Sequence, residues 1–100
     1  MSGPGQATLH LKVITPARLL AEADVEAVFL PSLEGEIGIL PGHRPLFVGI
    51  GTGRLRFQSG GDEESFVVKG GYAQVQPEKV VVMTDAGEDD EDVEGGAEAA

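Results

Sequence analysis

The sequence predicts an all-β protein, and three observations favour this class. Fifteen glycines and six prolines among 100 residues imply many turns. Apolar and polar residues alternate in several short segments with the two-residue period of a half-buried strand. Roughly eight or more such segments fit into about ninety residues, a density typical of a β-sandwich or a β-barrel. Periodicity alone leaves the choice between these two architectures open.

The first predicted strand covers residues 9–14. Leu9, Leu11 and Val13 lie on the face expected to be buried, and Pro16 ends the strand.

Two further strands are predicted at 18–22 and 25–30, with Pro31 ending the second. Ala, Leu and Glu also allow a helix over 17–28, but the β-branched and aromatic residues at the end of this segment favour strands.

In the second half of the chain, the sequence predicts five more strands, at 46–50, 54–58, 65–69, 72–76 and 79–83. A turn over 59–64 should join two of them as a hairpin, with the acidic residues 62–64 at its tip. Pro77 and Glu78 are expected at the bend of another hairpin. The segment Gly49–Gly53 superficially resembles a phosphate-binding loop, but a strand follows it instead of a helix, so we interpret it as a glycine-rich hairpin turn.

Charge divides the chain into three parts. The net charge is −10, and seven of the seventeen acidic residues lie in 88–100, which contains no Lys or Arg. We therefore predict a disordered acidic tail at 88–100, a folded domain at 7–87 and a flexible lead at 1–6 without features of a signal or transit peptide. No basic stripe supports nucleic-acid binding, and the absence of cysteine excludes disulfides and thiolate chemistry.

The segment 34–46 contains three glycines and two prolines between apolar residues. Gly35, Gly38 and Gly42 allow positive φ angles, whereas Pro41 and Pro45 fix φ near −65°. This composition predicts a shaped surface loop around one brief strand, and such loops on a rigid scaffold often bind partners.

Residues 34–45, with the sequence EGEIGILPGHRP, resemble the EGE(L/I)GI-x-PGH-x-P segment of the epsilon subunit of F-type ATP synthases. Residues 70–85 are similar to that family's GG-x-x-x-V-x-P-x-x-V-x-V-x-x-D stretch, and residues 9–16 fit its first strand. The resemblance covers roughly residues 7 to 87, in the same order and at the same spacing.

This resemblance implies a β-sandwich of two five-stranded antiparallel sheets. It implies a non-catalytic rotor subunit that joins the gamma subunit to the c ring and couples proton or sodium flow to ATP synthesis. Such a subunit is peripheral on the cytoplasmic face of the bacterial plasma membrane and contacts the membrane only through the c ring. No cofactor, metal or small-molecule ligand is expected. Many epsilon subunits carry a C-terminal helical hairpin, and residues 88–100 lack its pattern.

The resemblance also implies which residues contact partners. The segment containing Glu34 and Glu36 would face the polar loops of the c ring, and His43 would lie against the gamma subunit. The full predicted set is Glu34, Gly35, Glu36, Gly42, His43 and Arg44. From the residues alone, His43 either meets a partner or caps its own turn, and the two glutamates are solvated or contact a neighbour rather than performing acid–base chemistry.

Two other function classes were considered. A carbohydrate-binding β-sandwich would need aromatic platforms, but the chain has no Trp and one Tyr. A cupin-like metalloenzyme would need clustered ligands, but the two histidines, His10 and His43, are far apart in sequence and His10 is predicted to face outward from its strand. Neither class has a supporting motif.

Overall fold

The computed structural model describes residues 7–87, which form strands and no helix. Within this range, no helix is long and apolar enough to cross a membrane. The predictions for residues 1–6 and 88–100 lie outside the described residues. Ten strands are present: β1 Leu9–Ile14, β2 Leu19–Val25, β3 Ala27–Ser32, β4 Gly35–Ile39, β5 Leu46–Gly49, β6 Thr52–Ser59, β7 Asp62–Lys69, β8 Tyr72–Val75, β9 Lys79–Met83 and β10 Ala86–Gly87.

The strands form two five-stranded sheets, which confirms the predicted β-sandwich. Sheet 1 has the order β2-β1-β9-β8-β5, and sheet 2 has the order β10-β7-β6-β3-β4. One pair, β1–β9, is parallel, so the prediction of purely antiparallel sheets is wrong at this point. Strands joined by a hairpin must be antiparallel. Strands β1 and β9 are instead separated by most of the domain's sequence, so no tight turn between them imposes an antiparallel direction.

The core between the sheets consists mainly of aliphatic side chains. Leu9, Leu11 and Val13 are fully buried whereas His10 and Lys12 are exposed, as the alternation in β1 predicts. Burial of these side chains is the main favourable contribution to folding. The other large, fully buried residues are Val25, Val28, Leu30, Ile39, Leu55, Val68, Val75, Val80 and Val82.

The segment 17–28 contains strands, as predicted, but Pro31 does not end β3. Pro31 lies inside β3 and is opposite Glu36 of β4. Its carbonyl accepts a hydrogen bond from the amide of Gly51 on the other side of the strand, at 2.7 Å. Since the N–H and C=O of a strand residue point to the same side, the donor that proline lacks is not needed by the β3–β4 ladder.

The β6–β7 hairpin is tighter than predicted. Its loop consists of Gly60 and Gly61, with φ angles of 59° and 91°. Two positive φ angles are typical of the two-residue turns that match the twist of a hairpin. The acidic residues Asp62, Glu63 and Glu64 therefore belong to strand β7 and not to the hairpin tip, which corrects the prediction.

The structure also corrects the prediction of a hairpin turn in the glycine-rich segment 49–53. It carries the chain from β5 in sheet 1 to β6 in sheet 2, so it is a crossover and not a hairpin turn. A second crossover at Gly70 and Gly71 returns the chain from β7 to β8. The two crossovers bind each other, because Ile50 N–H donates to the carbonyl of Gly71 at 2.9 Å and Gly70 N–H donates to that of Gly51 at 3.2 Å.

Gly71 occupies a position that only glycine fits. Its φ angle is 100°, and a Cβ atom built on it would lie 2.0 Å from the carbonyl oxygen of Met83. Both the backbone conformation and the close approach exclude a side chain.

Candidate partner-binding surface

The six residues predicted to contact partners lie on one edge of the sandwich, but only partly in a loop. Glu34 is in the β3–β4 turn, and Gly35 and Glu36 belong to β4, the edge strand of sheet 2. Gly42, His43 and Arg44 lie in the connection from β4 to β5, which is the edge strand of sheet 1. The brief strand predicted within residues 34–46 is therefore β4, which lies at an edge of its sheet between two tight turns.

The β3–β4 turn is fixed by local hydrogen bonds. The hydroxyl of Ser32 accepts from the amide of Glu34 at 3.1 Å and donates to the carbonyl of Gly35. Gly35 has a φ angle of 116°, so it closes the turn in a conformation that other residues rarely adopt. The amide of Leu33 donates to Gly49 at the end of β5, at 3.0 Å, which connects the turn to the other sheet.

Glu36 is bound within the chain. Its carboxylate accepts hydrogen bonds from the Arg56 guanidinium of β6, at 3.1 and 3.2 Å from Nη2. Glu63 of β7 lies 3.4 Å from Nη1 of the same guanidinium. The hydrogen bond to Glu36 is the main reason that the pKa of Arg56 is raised above its ordinary value. Glu36 thus has a structural partner, which the sequence did not indicate.

The aromatic ring of Phe29 lies between Arg56 and the edge strand. The guanidinium carbon is 4.4 Å from the ring centroid, in cation–π geometry. On the other side, a Cβ atom on Gly38 would come within 3.2 Å of the ring. Gly38 therefore allows the ring to lie against β4, and Arg56 reaches over it to Glu36.

The β4–β5 connection begins with a tight turn. The amide of His43 donates to the carbonyl of Leu40 at 3.1 Å, with Pro41 and Gly42 as the central residues. Proline followed by a residue of positive φ, here 88° at Gly42, is typical of a type II turn. The amide of Gly42 donates to the carbonyl of Pro77 at 2.8 Å, so the turn is attached to the β8–β9 hairpin.

The ring of His43 also has a local partner. Its Nδ1 atom lies 2.7 Å from the carbonyl oxygen of Arg44. A carbonyl oxygen only accepts hydrogen bonds, so Nδ1 carries the proton and Nε2 is the atom left for another contact. His43 is half-buried, whereas Arg44 is exposed.

Next to these residues lies an exposed cluster that the sequence analysis missed, which we call the apolar edge patch: Leu33, Leu46, Phe47 and Tyr72. Leu33 and Phe47 are 74% and 66% exposed. The rings of Phe47 and Tyr72 are stacked at a tilt, with centroids 4.9 Å apart. A groove of about 450 Å³ runs between the two edge strands, lined by Ser32, Leu33, Glu34, Ile37, Leu46, Phe47, Val48 and Gly49.

One signal for this patch was present in the sequence. Residues 45–48 are apolar without alternation, so both faces of β5 carry apolar side chains. An edge strand of this kind leaves one face uncovered by its own fold.

The described part of the chain offers no support for a metal site. Residues 7–87 contain no group of three or more His, Asp or Glu side chains that could hold a metal ion. His10 faces outward from β1, as predicted, on the surface of sheet 1.

Comparison with known proteins identifies the fold family. Residues 8–90 match the sequence model of the ATP synthase delta/epsilon chain β-sandwich domain. The chain belongs to this family. Proteins named ATP synthase epsilon chain are similar to it: that of Carboxydothermus hydrogenoformans is 41% identical over 86 residues, and that of Dehalococcoides mccartyi strain BAV1 is 39% identical over 88. These alignments cover 86% and 88% of this chain but only 64% and 63% of the relatives, so the chain spans less than two-thirds of their length.

Solved structures agree with the epsilon-type sandwich. A chain in the Euglena gracilis mitochondrial ATP synthase, in a structure of OSCP, F1 and the c ring, is similar with a TM-score of 0.75 and 26% identity, over 87% of this chain and 57% of that one. A chain in the central stalk and c ring of the Tetrahymena thermophila mitochondrial enzyme has a TM-score of 0.65 over 78% of this chain and 63% of its own; at 15% identity it shows the shared fold alone. Family membership decides against the carbohydrate-binding and cupin-like alternatives.

Proposed function

We propose that this chain is a non-catalytic rotor subunit in the central stalk of an F-type ATP synthase. It joins the gamma subunit to the c ring and so couples proton or sodium flow to ATP synthesis. The names of its relatives and the assembly that contains its structural neighbour support this proposal. As part of that complex it is peripheral on the cytoplasmic face of a bacterial plasma membrane, and it has no active site of its own.

The observation that carries the proposal is the position of the apolar edge patch. An exposed apolar cluster with a polar rim is typical of a protein–protein interface. Here the patch adjoins the turn that contains Glu34 and the connection that contains His43 and Arg44. The family resemblance and the exposed apolar surface therefore both support this edge of the sandwich as the proposed interface.

The edge offers two kinds of contact. Phe47 is large, aromatic and more than half exposed, which suits burial against an apolar surface of the gamma subunit, with Nε2 of His43 available for a polar contact beside it. The β3–β4 turn presents Glu34 and suits the polar loops of the c ring. Both turns are held by short hydrogen bonds, so the contacts are prepared before binding and lose little entropy on docking.

The fold also suits a mechanical task. Each strand of the described sandwich pairs along its length with a neighbour, and the two crossovers bind each other. A load applied at the edge is therefore distributed over backbone hydrogen bonds of both sheets, without an internal hinge in the way.

A binding experiment tests this proposal. The protein should co-purify with a complex of the gamma subunit and the c ring, and His43→Ala and Glu34→Lys should each weaken the association without changing the circular dichroism spectrum. Glu34 is preferable to Glu36 because the latter is paired with Arg56. Failure of the unmodified protein to associate would contradict the proposed function, whereas unchanged affinity of both variants would contradict only the assignment of these residues.

A further inference from the structure

A cluster of three ionisable side chains lies on the outer face of sheet 1, on different strands from the apolar edge patch. His10 of β1 is directly opposite Asp24 of β2, an edge strand. Its Nδ1 atom is 3.0 Å from Oδ1 of Asp24, and its Nε2 atom is 2.7 Å from Oε2 of Glu22. Glu22 precedes Asp24 by two residues and therefore projects from the same face of β2.

This geometry requires a protonated imidazole. A neutral histidine has one N–H group, so it can donate to one carboxylate and must turn a lone pair towards the other. Only the imidazolium ion can donate from both nitrogens at once. The hydrogen bonds to Asp24 and then to Glu22 raise the pKa of His10 above its ordinary value.

Two cationic residues are also register neighbours of the cluster, one on β1 and one on β9. Lys12 follows two residues later on β1, opposite Glu22, and Lys79 of β9 is the register partner of His10. The carbonyl of Glu78 accepts the backbone N–H of His10 at 2.9 Å. The two lysines oppose a positive charge on the ring, but neither is placed between the ring and its carboxylates.

Among the strands of residues 7–87, β1 is the one neighbour of β2 in sheet 1, so the ladder of β2 depends on it. The C-terminal end of β2 is also attached to β6 of sheet 2. The hydroxyl of Ser59 donates a hydrogen bond to the carbonyl of Asp24 at 3.0 Å. The amide of Glu26 donates to the carbonyl of Gln58 at 2.7 Å. His10 is thus the side chain that connects the middle of β2 to the strand beside it.

We propose that His10 is a proton-dependent clasp that holds edge strand β2 on the sandwich. The clasp is closed while the ring is protonated and binds both carboxylates, and it loosens when the ring loses its proton. Its contribution to stability is fully present below the ordinary pKa of histidine and is lost as the pH rises through the raised value of the folded protein. This property belongs to the sandwich itself and does not depend on the proposed function.

Two measurements on the full chain test the clasp. In an NMR titration, the midpoint of His10 should fall in the Glu22→Gln/Asp24→Asn double variant relative to the unmodified protein. Hydrogen exchange of the β2 amides, corrected for intrinsic rates, should lose protection by roughly threefold or more between about pH 6 and about pH 9, while amides in β6 keep theirs. The His10→Gln variant should show no such pH dependence.

His43→Gln is the matched control, because it removes the other histidine and leaves the clasp intact. It should retain the pH dependence of β2. If His10→Gln retains it too, or if the titration midpoint is unchanged in the double variant, the proposed clasp is wrong.

Discussion

The edges of the two sheets are protected in different ways. Strands β4 and β5, with the turns next to them, expose Leu33, Leu46 and Phe47, and no charged side chain interrupts β5. Strand β2 instead exposes Glu22 and Asp24, in addition to Leu19 at its start. Strand β7, which β10 covers only at Val68 and Lys69, exposes the acidic residues Asp62, Glu63 and Glu64 at its other end.

This difference supports the proposal that the edge with exposed apolar side chains binds a partner while the charged edges stay in water. Charges on an edge strand discourage the addition of another chain, which is how soluble β-proteins avoid edge-to-edge association. An edge with exposed aromatic and aliphatic side chains lacks that protection, and its exposure costs free energy unless another surface covers it. We therefore expect the apolar surface around β5 and the turns next to β4 to be the side of the sandwich that a partner covers in the proposed assembly.

Gly71 joins β7 to β8, the neighbour of β5, and we expect the largest effect there. Gly71→Ala should lower the free energy of unfolding by about 3 kcal/mol or more, because the added Cβ clashes with the backbone of Met83 at a φ angle of 100°. Gly70→Ala is the matched control, since its Cβ would meet only the end of the Asp85 side chain, which can move. Urea unfolding of both variants measures the difference, and equal losses would contradict this explanation.

Phe47→Glu should convert the apolar edge into a charged one. We expect binding to the gamma–c-ring complex to weaken by about 100-fold, which corresponds to about 2.7 kcal/mol, with little change in the melting temperature because the side chain is mostly exposed. Glu64→Gln on β7 also changes the charge by one unit, on the protected edge, and should leave binding within about threefold. Equal effects of the two variants would show that the edges do not differ in function.

Gly42→Ala tests the conformation of the turn beside the patch. We expect a loss of about 1 kcal/mol in stability, smaller than at Gly71, because φ is 88° but a Cβ atom would enter open space. Gly42→Asn should be less destabilising, since asparagine tolerates positive φ better than alanine. Thermal melts of the two variants measure these losses of stability. An alanine variant as stable as the unmodified protein would contradict the expected strain at Gly42.

The smallest effect is expected at the ion pair between Arg56 and Glu36, which is partly exposed to solvent. A double-mutant cycle with Arg56→Gln and Glu36→Gln should show a weak favourable coupling in the free energy of unfolding, and added salt should reduce it. Arg56→Lys, which keeps the charge but loses the paired geometry, should recover only part of the coupling. Complete additivity of the two substitutions at low salt would mean that the pair does not stabilise β4.

Local patterns in the sequence located most of the strands but not all of their ends, and they did not indicate which strands pair. Alternation predicted β1, and the positive φ angles of Gly35 and Gly42 followed from their place in tight turns. The Arg56–Glu36 pair could not be predicted, because β6 and β4 are separated by β3 in the sheet and the contact depends on sheet order. Phe47 was assigned to a strand but not to an exposed patch, since an apolar run looks the same whether the fold or a partner covers it.

The stacked pair of Phe47 and Tyr72 also provides an optical probe. The chain contains one tyrosine and no tryptophan, so its tyrosine fluorescence comes from a single ring, and that ring lies in the apolar edge patch. Any partner that covers the patch changes the polarity and the quenching around this phenol. Docking by a tryptophan-free partner surface can therefore be followed through the emission of Tyr72, with no label attached to the protein.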